Sequence, residues 1–122
     1  MKAILLAAGT GKRLGNLTKD LPKALVDING KSLLERQIIA LRKNSINDIL
    51  VVTGPNKAKF NIKNITYVPD ADYLTHDVLG TMMSADEYMT SDLIVSYTDI
   101  VFDEKIINSM INANADINIA IE

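Results

Sequence analysis

The sequence reads Leu6-Ala7-Ala8-Gly9-Thr10-Gly11-Lys12-Arg13-Leu14-Gly15 across the end of its first apolar run. The apolar run, Lys2 to Ala7, predicts a buried β-strand, and the three glycines behind it predict a loop. Glycines let a backbone approach a phosphate closely, and successive N–H groups form a nest for anions. The segment therefore predicts a phosphate-binding loop at the end of a strand.

Two common phosphate-binding motifs do not fit this loop. A dinucleotide-binding fingerprint needs a small residue three positions after its second glycine, where this sequence has Leu14. A Walker A loop needs a glycine five positions before its Gly-Lys pair and a Ser or Thr after it, but these positions hold Leu6 and Arg13. The cations Lys12, Arg13 and Lys23 favour a triphosphate ligand. A dinucleotide-dependent oxidoreductase is accordingly disfavoured.

The composition is that of an ordinary globular domain. Apolar residues make up 48% of the 122 residues and charged residues 23%, which excludes a disordered or fibrous chain. The absence of Cys excludes disulfides and thiolate sites, and a single His excludes a multi-histidine zinc site. The early apolar run from Ala3 to Ala8 is too short to span a membrane, so we expect a cytoplasmic protein. The length predicts one domain over residues 1–122.

The charges are distributed unevenly along the chain. Residues 1–43 hold nine of the thirteen Lys and Arg residues but three of the fifteen Asp and Glu residues, a balance of +6. The remaining residues carry −8, and the net charge is −2. This asymmetry predicts an anionic ligand near the N-terminus, while the acidic pI of about 5.3 argues against nucleic acid.

Strands and helices alternate in the predicted element order. Strands are expected at 2–7, 48–53, 65–68, 93–97 and 116–121. A capping box at Ser32 and Glu35 opens the clearest helix, and further helices are expected over 78–89 and from Asp103 to about 113. An extended run over 23–28 and one helical turn within 56–64 complete the prediction. Val/Ile/Leu-rich strands that alternate with helices predict an α/β fold whose parallel sheet is covered on both faces.

Four segments together resemble a known family. They are Leu6-Ala7-Ala8-Gly9-x-Gly11-x-Arg13-Leu14, Leu17-Thr18, Pro22-Lys23-x-Leu25 and Gly30-Lys31-x-Leu33-Leu34-Glu35. The set looks like the nucleotidyltransferase signature of the GT-A-like pyrophosphorylases, closely over about the first 40 residues and in element order beyond them. The resemblance implies a three-layer α/β/α fold with a mostly parallel, Rossmann-like sheet.

The resemblance also implies roles for residues at matching positions. Arg13 would bind the leaving β- and γ-phosphates, and Lys23 would contact the α-phosphate and the acceptor phosphate. Asp99 matches the aspartate that binds the cofactor Mg²⁺, although many sugar-nucleotide members have Gly-Asp where this chain has Thr98-Asp99. The implied nucleotide-binding residues are Leu6, Ala7, Ala8, Gly9, Gly11, Lys12, Gly80 and Thr81.

Two further runs narrow the resemblance. Glu35-Arg36-Gln37-Ile38 and Val95-Ser96-Tyr97-Thr98-Asp99-Ile100 are similar to cytidylyltransferases for phosphocholine or for phosphonates such as 2-aminoethylphosphonate. The implied reaction transfers CMP from CTP to a phosphorylated or phosphonate acceptor and releases pyrophosphate. A sugar-1-phosphate nucleotidyltransferase that uses UTP or dTTP is the alternative enzyme, and a non-catalytic nucleotide-binding module is the alternative outside catalysis. No nucleic-acid or membrane partner is expected, and a homo-oligomer is left open.

Family members are considerably longer than this sequence. Their later half supplies a second metal-binding carboxylate and much of the acceptor pocket. We therefore expect residues 1–122 to form the N-terminal, nucleotide-binding portion of a nucleotidyltransferase domain, whose activity alone stays open. His76 and Asp77 cannot complete a metallophosphohydrolase site without a second His, and we interpret them as loop or acceptor-site residues. Asp72 and Tyr73 would line the same pocket.

Overall fold

A four-stranded, entirely parallel sheet lies at the centre of the computed structural model, which describes residues 1–121. Its strand order is β5-β4-β1-β6, and β2 and β3 form a separate antiparallel pair. The strands are β1 (Lys2–Ala7), β2 (Asp27–Ile28), β3 (Lys31–Ser32), β4 (Ile49–Thr53), β5 (Thr66–Pro69) and β6 (Leu93–Tyr97).

Strand β1 is central because it pairs on both sides. Ala3 lies opposite Ile49 of β4 and opposite Ile94 of β6, and both ladders are parallel. Buried positions run without interruption from Ala3 to Ala7 and through the whole of β4, as expected for strands covered on both faces. The carboxyl ends of β1, β4, β5 and β6 consequently meet at one edge of the sheet.

Residues 1–121 also form three helices and four 3-10 turns. The helices are α1 (Leu33–Lys43), α2 (Val78–Met83) and α3 (Glu104–Asn112), and the 3-10 turns span Lys12–Thr18, Lys23–Leu25, Lys57–Lys59 and Asp86–Tyr88. Helices α1 and α3 pack on the face that carries Ala3, Leu5 and Ala7. Residues of α2 and the segment after it pack on the opposite face, with Ile4 and Leu6. The predicted three-layer α/β/α arrangement is therefore confirmed.

The capping box predicted for α1 is formed. The Ser32 hydroxyl accepts a hydrogen bond from the Glu35 backbone N–H at 3.2 Å, and the Glu35 carboxylate accepts one from the Ser32 N–H at 2.7 Å. These donors, the Ser32 backbone first and its hydroxyl second, hold the pKa of Glu35 below its ordinary value. The local sequence alone thus determines where this helix begins.

The segment between the glycine-rich loop and α1 differs from the predicted extended run. Residues Lys23–Leu25 form a 3-10 turn that begins after Pro22, and only Asp27–Ile28 is a strand. Asn29 and Gly30 form the two-residue hairpin turn to β3, with φ of 53° and 85°. Both positive φ values are those of the turn that matches strand twist.

The helix predicted over 78–89 is interrupted. Helix α2 ends at Met83, and a 3-10 turn occupies Asp86–Tyr88. Between them, Ala85 leaves the helical conformation with φ −112° and ψ 19°, and its side chain is fully buried beside Ile4 and Leu6. Burial of Ala85 against this face of the sheet therefore interrupts the helix, and the second half of the predicted helix is not formed.

The strand predicted over 116–121 is wrong, since the structure has no strand there. The alternating Ile117, Ile119 and Ile121 are 81%, 78% and 87% exposed. A strand needs a neighbour to bond its N–H and C=O groups, and within residues 1–121 this segment joins neither sheet. Among the same residues, no helix is long and apolar enough to cross a membrane.

Candidate nucleotide-binding site

A cleft of about 740 Å³ opens at the carboxyl edge of the sheet. Ligands of open α/β sheets bind at this edge, beyond the strand ends. Four segments line the cleft: the loop after β1, the turn after Pro22, the start of α2 with the loop before it, and the end of β6. The lining residues are Leu6, Ala7, Ala8, Gly9, Thr10, Gly11, Lys12, Arg13, Leu14, Lys23, Ala24, Tyr73, His76, Asp77, Val78, Thr81, Tyr97, Thr98 and Asp99.

The loop after β1 has a conformation that its sequence dictates. Gly11 has φ +65°, which disfavours a side chain, and an added Cβ would lie 3.1 Å from Thr18. Thr18 is buried, and its hydroxyl donates a 2.6 Å hydrogen bond to the Gly11 carbonyl. The contact folds the loop back on itself and leaves the cations Lys12 and Arg13 on the exposed rim of the cleft.

Lys23 and Asp99 meet across the cleft although 76 residues separate them. The ammonium Nζ of Lys23 donates to Oδ2 of Asp99 at 2.8 Å, and the two side chains are partly exposed. Lys23 follows the buried Pro22, and Asp99 lies two residues beyond the end of β6. The sequence separately predicted each residue for the site, and the fold brings them into contact.

The backbone around Asp99 is fixed by two buried side chains. The Thr98 hydroxyl donates to the Leu6 carbonyl at 2.9 Å, which ties the segment to β1. The amide of Gln37, on α1, donates to the carbonyls of Tyr97 at 2.7 Å and Ile100 at 2.6 Å. Gln37 is only 1% exposed. These bonds bracket Asp99 and hold its segment at the strand end.

The opposite wall of the cleft is the N-terminal end of α2 with the loop before it. Asp77 caps the helix by accepting the Gly80 N–H at 2.9 Å. Thr81 donates its hydroxyl to Oδ2 of Asp70 at 2.9 Å, and Nδ1 of His76 lies 2.9 Å from Oδ1 of the same carboxylate. The Asp70 side chain is completely buried.

All but two of the residues that the sequence predicts for the site line the cleft. Leu6, Ala7, Ala8, Gly9, Gly11, Lys12, Arg13, Lys23, Thr81 and Asp99 do so, as do the expected pocket residues Tyr73, His76 and Asp77. Gly80 and Asp72 do not. Gly80 instead packs closely against the ring of His76. A Cβ added at Gly80 would lie only 2.8 Å from the ring Cγ.

Two positioning residues were missed at the sequence level, Gln37 and Asp70. Gln37 stands among apolar residues on the buried face of α1, and a polar residue in such a place is the signal that could have identified it. Asp70 directly follows β5, and an acidic residue just beyond a strand end is a comparable but weaker signal. Neither sequence pattern identifies the groups to which the Gln37 and Asp70 side chains are hydrogen-bonded.

The carboxylates of the cleft suit a metal ion that arrives with phosphates. Within residues 1–121 no group of three or more His, Cys, Asp or Glu side chains could hold a metal by itself. Mg²⁺ is commonly bound by one or two carboxylates together with substrate phosphates and waters. A single Asp99 beside Lys23 and the phosphate-type loop fits that mode of binding rather than an all-protein cage.

Comparisons with known proteins agree with this geometry. The sequence profile of the MobA-like NTP transferase domain matches residues 3–121. CTP:phosphoglutamine cytidylyltransferase of Campylobacter jejuni is 33% identical over the whole chain and 53% of its own length. A bifunctional sugar-1-phosphate nucleotidylyltransferase/acetyltransferase of Sulfurisphaera tokodaii is 40% identical over 84% of this chain and 25% of its own length.

A solved structure extends the comparison to three dimensions. The CTP:phosphocholine cytidylyltransferase of Streptococcus pneumoniae superposes with a TM-score of 0.76 and 33% identity, over 85% of this chain and 49% of that one. The chain thus spans about half the length, or less, of the relatives it matches. Because the matched profile extends over nearly all of the sequence, with the phosphate-type loop at the end of its first strand, this protein belongs to the MobA-like NTP transferase family.

Proposed function

We propose that this chain binds CTP and serves the transfer of CMP to a phosphorylated or phosphonate acceptor, with release of pyrophosphate. The observation that carries the proposal is the meeting of Arg13, Lys23 and Asp99 in one cleft at the carboxyl edge of the sheet. Two cations that line the same cleft as a carboxylate suit a site for a metal–triphosphate complex.

The chemistry needs positioning and charge neutralisation more than a protein nucleophile. An acceptor oxygen forms a bond to the α-phosphorus while the bond from that phosphorus to the bridging oxygen breaks. Pyrophosphate leaves with the electron pair. A phosphate oxygen is already largely deprotonated at neutral pH, so a general base is not required.

Each cation has a separate part in this proposal. Lys23 projects from a turn anchored by the buried Pro22, so it presents a fixed positive charge to the α-phosphate and the acceptor. Arg13 lies on the exposed rim, where its planar guanidinium suits the oxygens of the leaving diphosphate. Backbone groups of the loop from Leu6 to Lys12 enclose the rest of the nucleotide.

Asp99 is the proposed ligand of Mg²⁺. The ion, bound with the triphosphate, supplies positive charge that offsets the charge developing on the phosphate oxygens. Lys23 contacts Oδ2 of Asp99 at 2.8 Å, so the metal ligand and the cation proposed for the phosphates lie side by side in the cleft.

The choice of CTP and of the acceptor class follows the cytidylyltransferase relatives. Two of them are named for transfer from CTP, one with phosphoglutamine and the other with phosphocholine. A sugar-1-phosphate nucleotidyltransferase using UTP or dTTP is the second candidate, supported by the Sulfurisphaera relative. A module that binds nucleotide without turnover is the third, since the chain spans about half the length of its cytidylyltransferase relatives.

Calorimetric titration of the 122-residue chain with CTP, UTP, dTTP, ATP and GTP, with and without Mg²⁺, tests the proposal. CTP should bind most tightly and need Mg²⁺. Arg13→Ala and Lys23→Ala should each weaken CTP binding about tenfold, the effect of one charge-assisted hydrogen bond. Lys19→Ala, an exposed cation outside the cleft, is the matched control and should change nothing.

Three outcomes would redirect the assignment. Preference for UTP or dTTP would favour the sugar-1-phosphate enzyme. Binding of CTP without pyrophosphate release on addition of phosphocholine, phosphoglutamine or 2-aminoethylphosphonate would favour the binding module. Unchanged affinity in both cation variants would remove Arg13 and Lys23 from the site.

A further inference from the structure

Asp70 is a fully buried carboxylate that contacts two side chains of the cleft wall. Its Oδ2 accepts the hydroxyl of Thr81 at 2.9 Å, and its Oδ1 lies 2.9 Å from Nδ1 of His76. Oδ1 also accepts the backbone N–H of Asp72 at 3.0 Å. A buried charge is tolerated only when its oxygens are satisfied, so Asp70 is committed to holding these groups in place.

Both the carboxylate and the ring of His76 are fixed from several sides. The Asp70 N–H donates to the Thr53 carbonyl at 2.8 Å, which continues the pairing of β5 with β4 beyond the strand end. The ring of His76 packs against Gly80, where an added Cβ would lie 2.8 Å from the ring. His76 therefore stands in the cleft wall with its ring held between a buried carboxylate and a residue without a side chain.

His76 lies on the other side of the sheet from Lys23. Ala24, next to Lys23, belongs to the core on the α1 and α3 face, whereas Met82 and Ala85, beyond Thr81, pack on the α2 face. The cleft runs over the sheet edge between these two sides. A nucleotide that lies along this cleft with its phosphates at Lys23 and Arg13 would have its nucleoside on the side of His76.

We infer that His76 recognises the nucleotide base, and that Asp70 is the positioning residue that orients its ring; the inference rests on the proposed function. A carboxylate offers only acceptors, so Asp70 favours a proton on Nδ1. In the neutral ring Nε2 is then an acceptor, and within residues 1–121 it has no hydrogen-bond partner. Cytosine carries an amino donor where uracil carries a carbonyl acceptor, so this nitrogen favours CTP over UTP.

The test compares CTP and UTP affinities of the 122-residue chain by calorimetry, with Mg²⁺ present. His76→Ala should lower CTP affinity about tenfold and UTP affinity much less, so that the preference for CTP collapses. His76→Gln should restore part of the preference, because its amide oxygen can accept the same amino group. Asp70→Asn should reduce the preference in the same direction.

The control for Asp70→Asn is Asp86→Asn, an exposed carboxylate outside the cleft, which should keep the wild-type preference. In a His76→Ala background, Asp70→Asn should produce no further change in the ratio of affinities. An unchanged ratio in His76→Ala overturns the inference even if Asp70→Asn fails to fold, since the His76 side chain is one-third exposed and its removal leaves the core intact.

The two levels of proposal fail in different ways. If the wild-type chain binds CTP and Arg13→Ala weakens that binding while His76→Ala leaves the CTP-to-UTP ratio unchanged, only the role of His76 is wrong. If the wild-type chain binds CTP and UTP equally, there is no preference between the bases for His76 to produce, and its proposed role is wrong in that case too. If it binds no nucleoside triphosphate, the proposed function fails and this inference fails with it.

Discussion

Lys23 and Asp99 neutralise each other's charge across a 2.8 Å contact, although each is a candidate for a different partner. Their side chains are 29% and 42% exposed, so water screens the pair and its contribution to stability is small, about 0–1 kcal/mol. Because the pair contributes so little to stability, separating the two side chains requires little free energy. The same two groups can therefore serve a metal and a phosphate.

Replacement of Asp99 separates these functions. Asp99→Asn should leave the free energy of unfolding within about 1 kcal/mol of wild type, because the exposed pair contributes little. It should abolish the strengthening of CTP binding by Mg²⁺, since an amide carries no negative charge for the ion. Asp92→Asn, directly before the other end of β6, is the control and should keep the effect of Mg²⁺ on CTP binding. Persistence of the Mg²⁺ effect in Asp99→Asn would mean that another group holds the metal.

Gln37 shows how a residue outside the cleft acts on Asp99. Gln37→Met removes both hydrogen bonds to the Tyr97 and Ile100 carbonyls, and should lower the free energy of unfolding by about 1–3 kcal/mol. Because those bonds bracket Asp99, the Mg²⁺-dependent part of CTP binding should weaken too. Urea unfolding and calorimetry measure the two effects. Lost stability with an intact Mg²⁺ dependence would restrict Gln37 to a structural role.

At the scale of elements, the end of β4 and the loop after β1 are in direct contact. A Cβ on Gly54 would lie 2.3 Å from the Ala8 carbonyl oxygen, whereas one on Gly9 would meet no atom within 4 Å. The two glycines, both at the carboxyl edge of the sheet, therefore have different surroundings. Gly54 has the backbone of Ala8 directly against it, whereas Gly9 faces open space.

Alanine substitutions distinguish these two glycines. Gly54→Ala should lower the free energy of unfolding by about 1–3 kcal/mol, because the backbone of Ala8 must move. Gly9→Ala should leave stability unchanged or slightly raised, yet weaken CTP binding if a phosphate approaches the loop at this point. Thermal unfolding and calorimetry give the two readouts. Equal stability loss in both variants would contradict the close approach at Gly54.

Elements whose signals are local were predictable from the sequence. The capping box of α1, the Asp103 cap of α3 and strand β1 all begin at the predicted residues. Elements that depend on distant partners were not. The segment over 116–121 has a strand pattern but no paired neighbour, and Ala85 ends α2 because the sheet buries it.

At the scale of the whole molecule, the cleft combines residues that are far apart in sequence. The motif residues of the loop were predictable because the part of the family signature that contains them is one contiguous run of sequence. The links that fix them were not, since Thr98 binds Leu6 across 92 positions and Gln37 reaches Ile100 across 63. Hydrophobic periodicity carries no information on such pairs, so the supports of the site emerge only from the fold.

Because charge is unevenly distributed along the chain, CTP binding should depend on the salt concentration. Residues 1–43 carry +6, and three of their cations line the cleft, while the remainder carries −8. Raising KCl from about 0.05 to 0.5 M should weaken CTP binding about tenfold, because screening shortens the reach of these cations. Arg13→Ala should flatten that dependence. Lys57→Ala, in a turn outside the cleft, should preserve it; identical salt curves for wild type and Arg13→Ala would show that Arg13 does not attract the triphosphate.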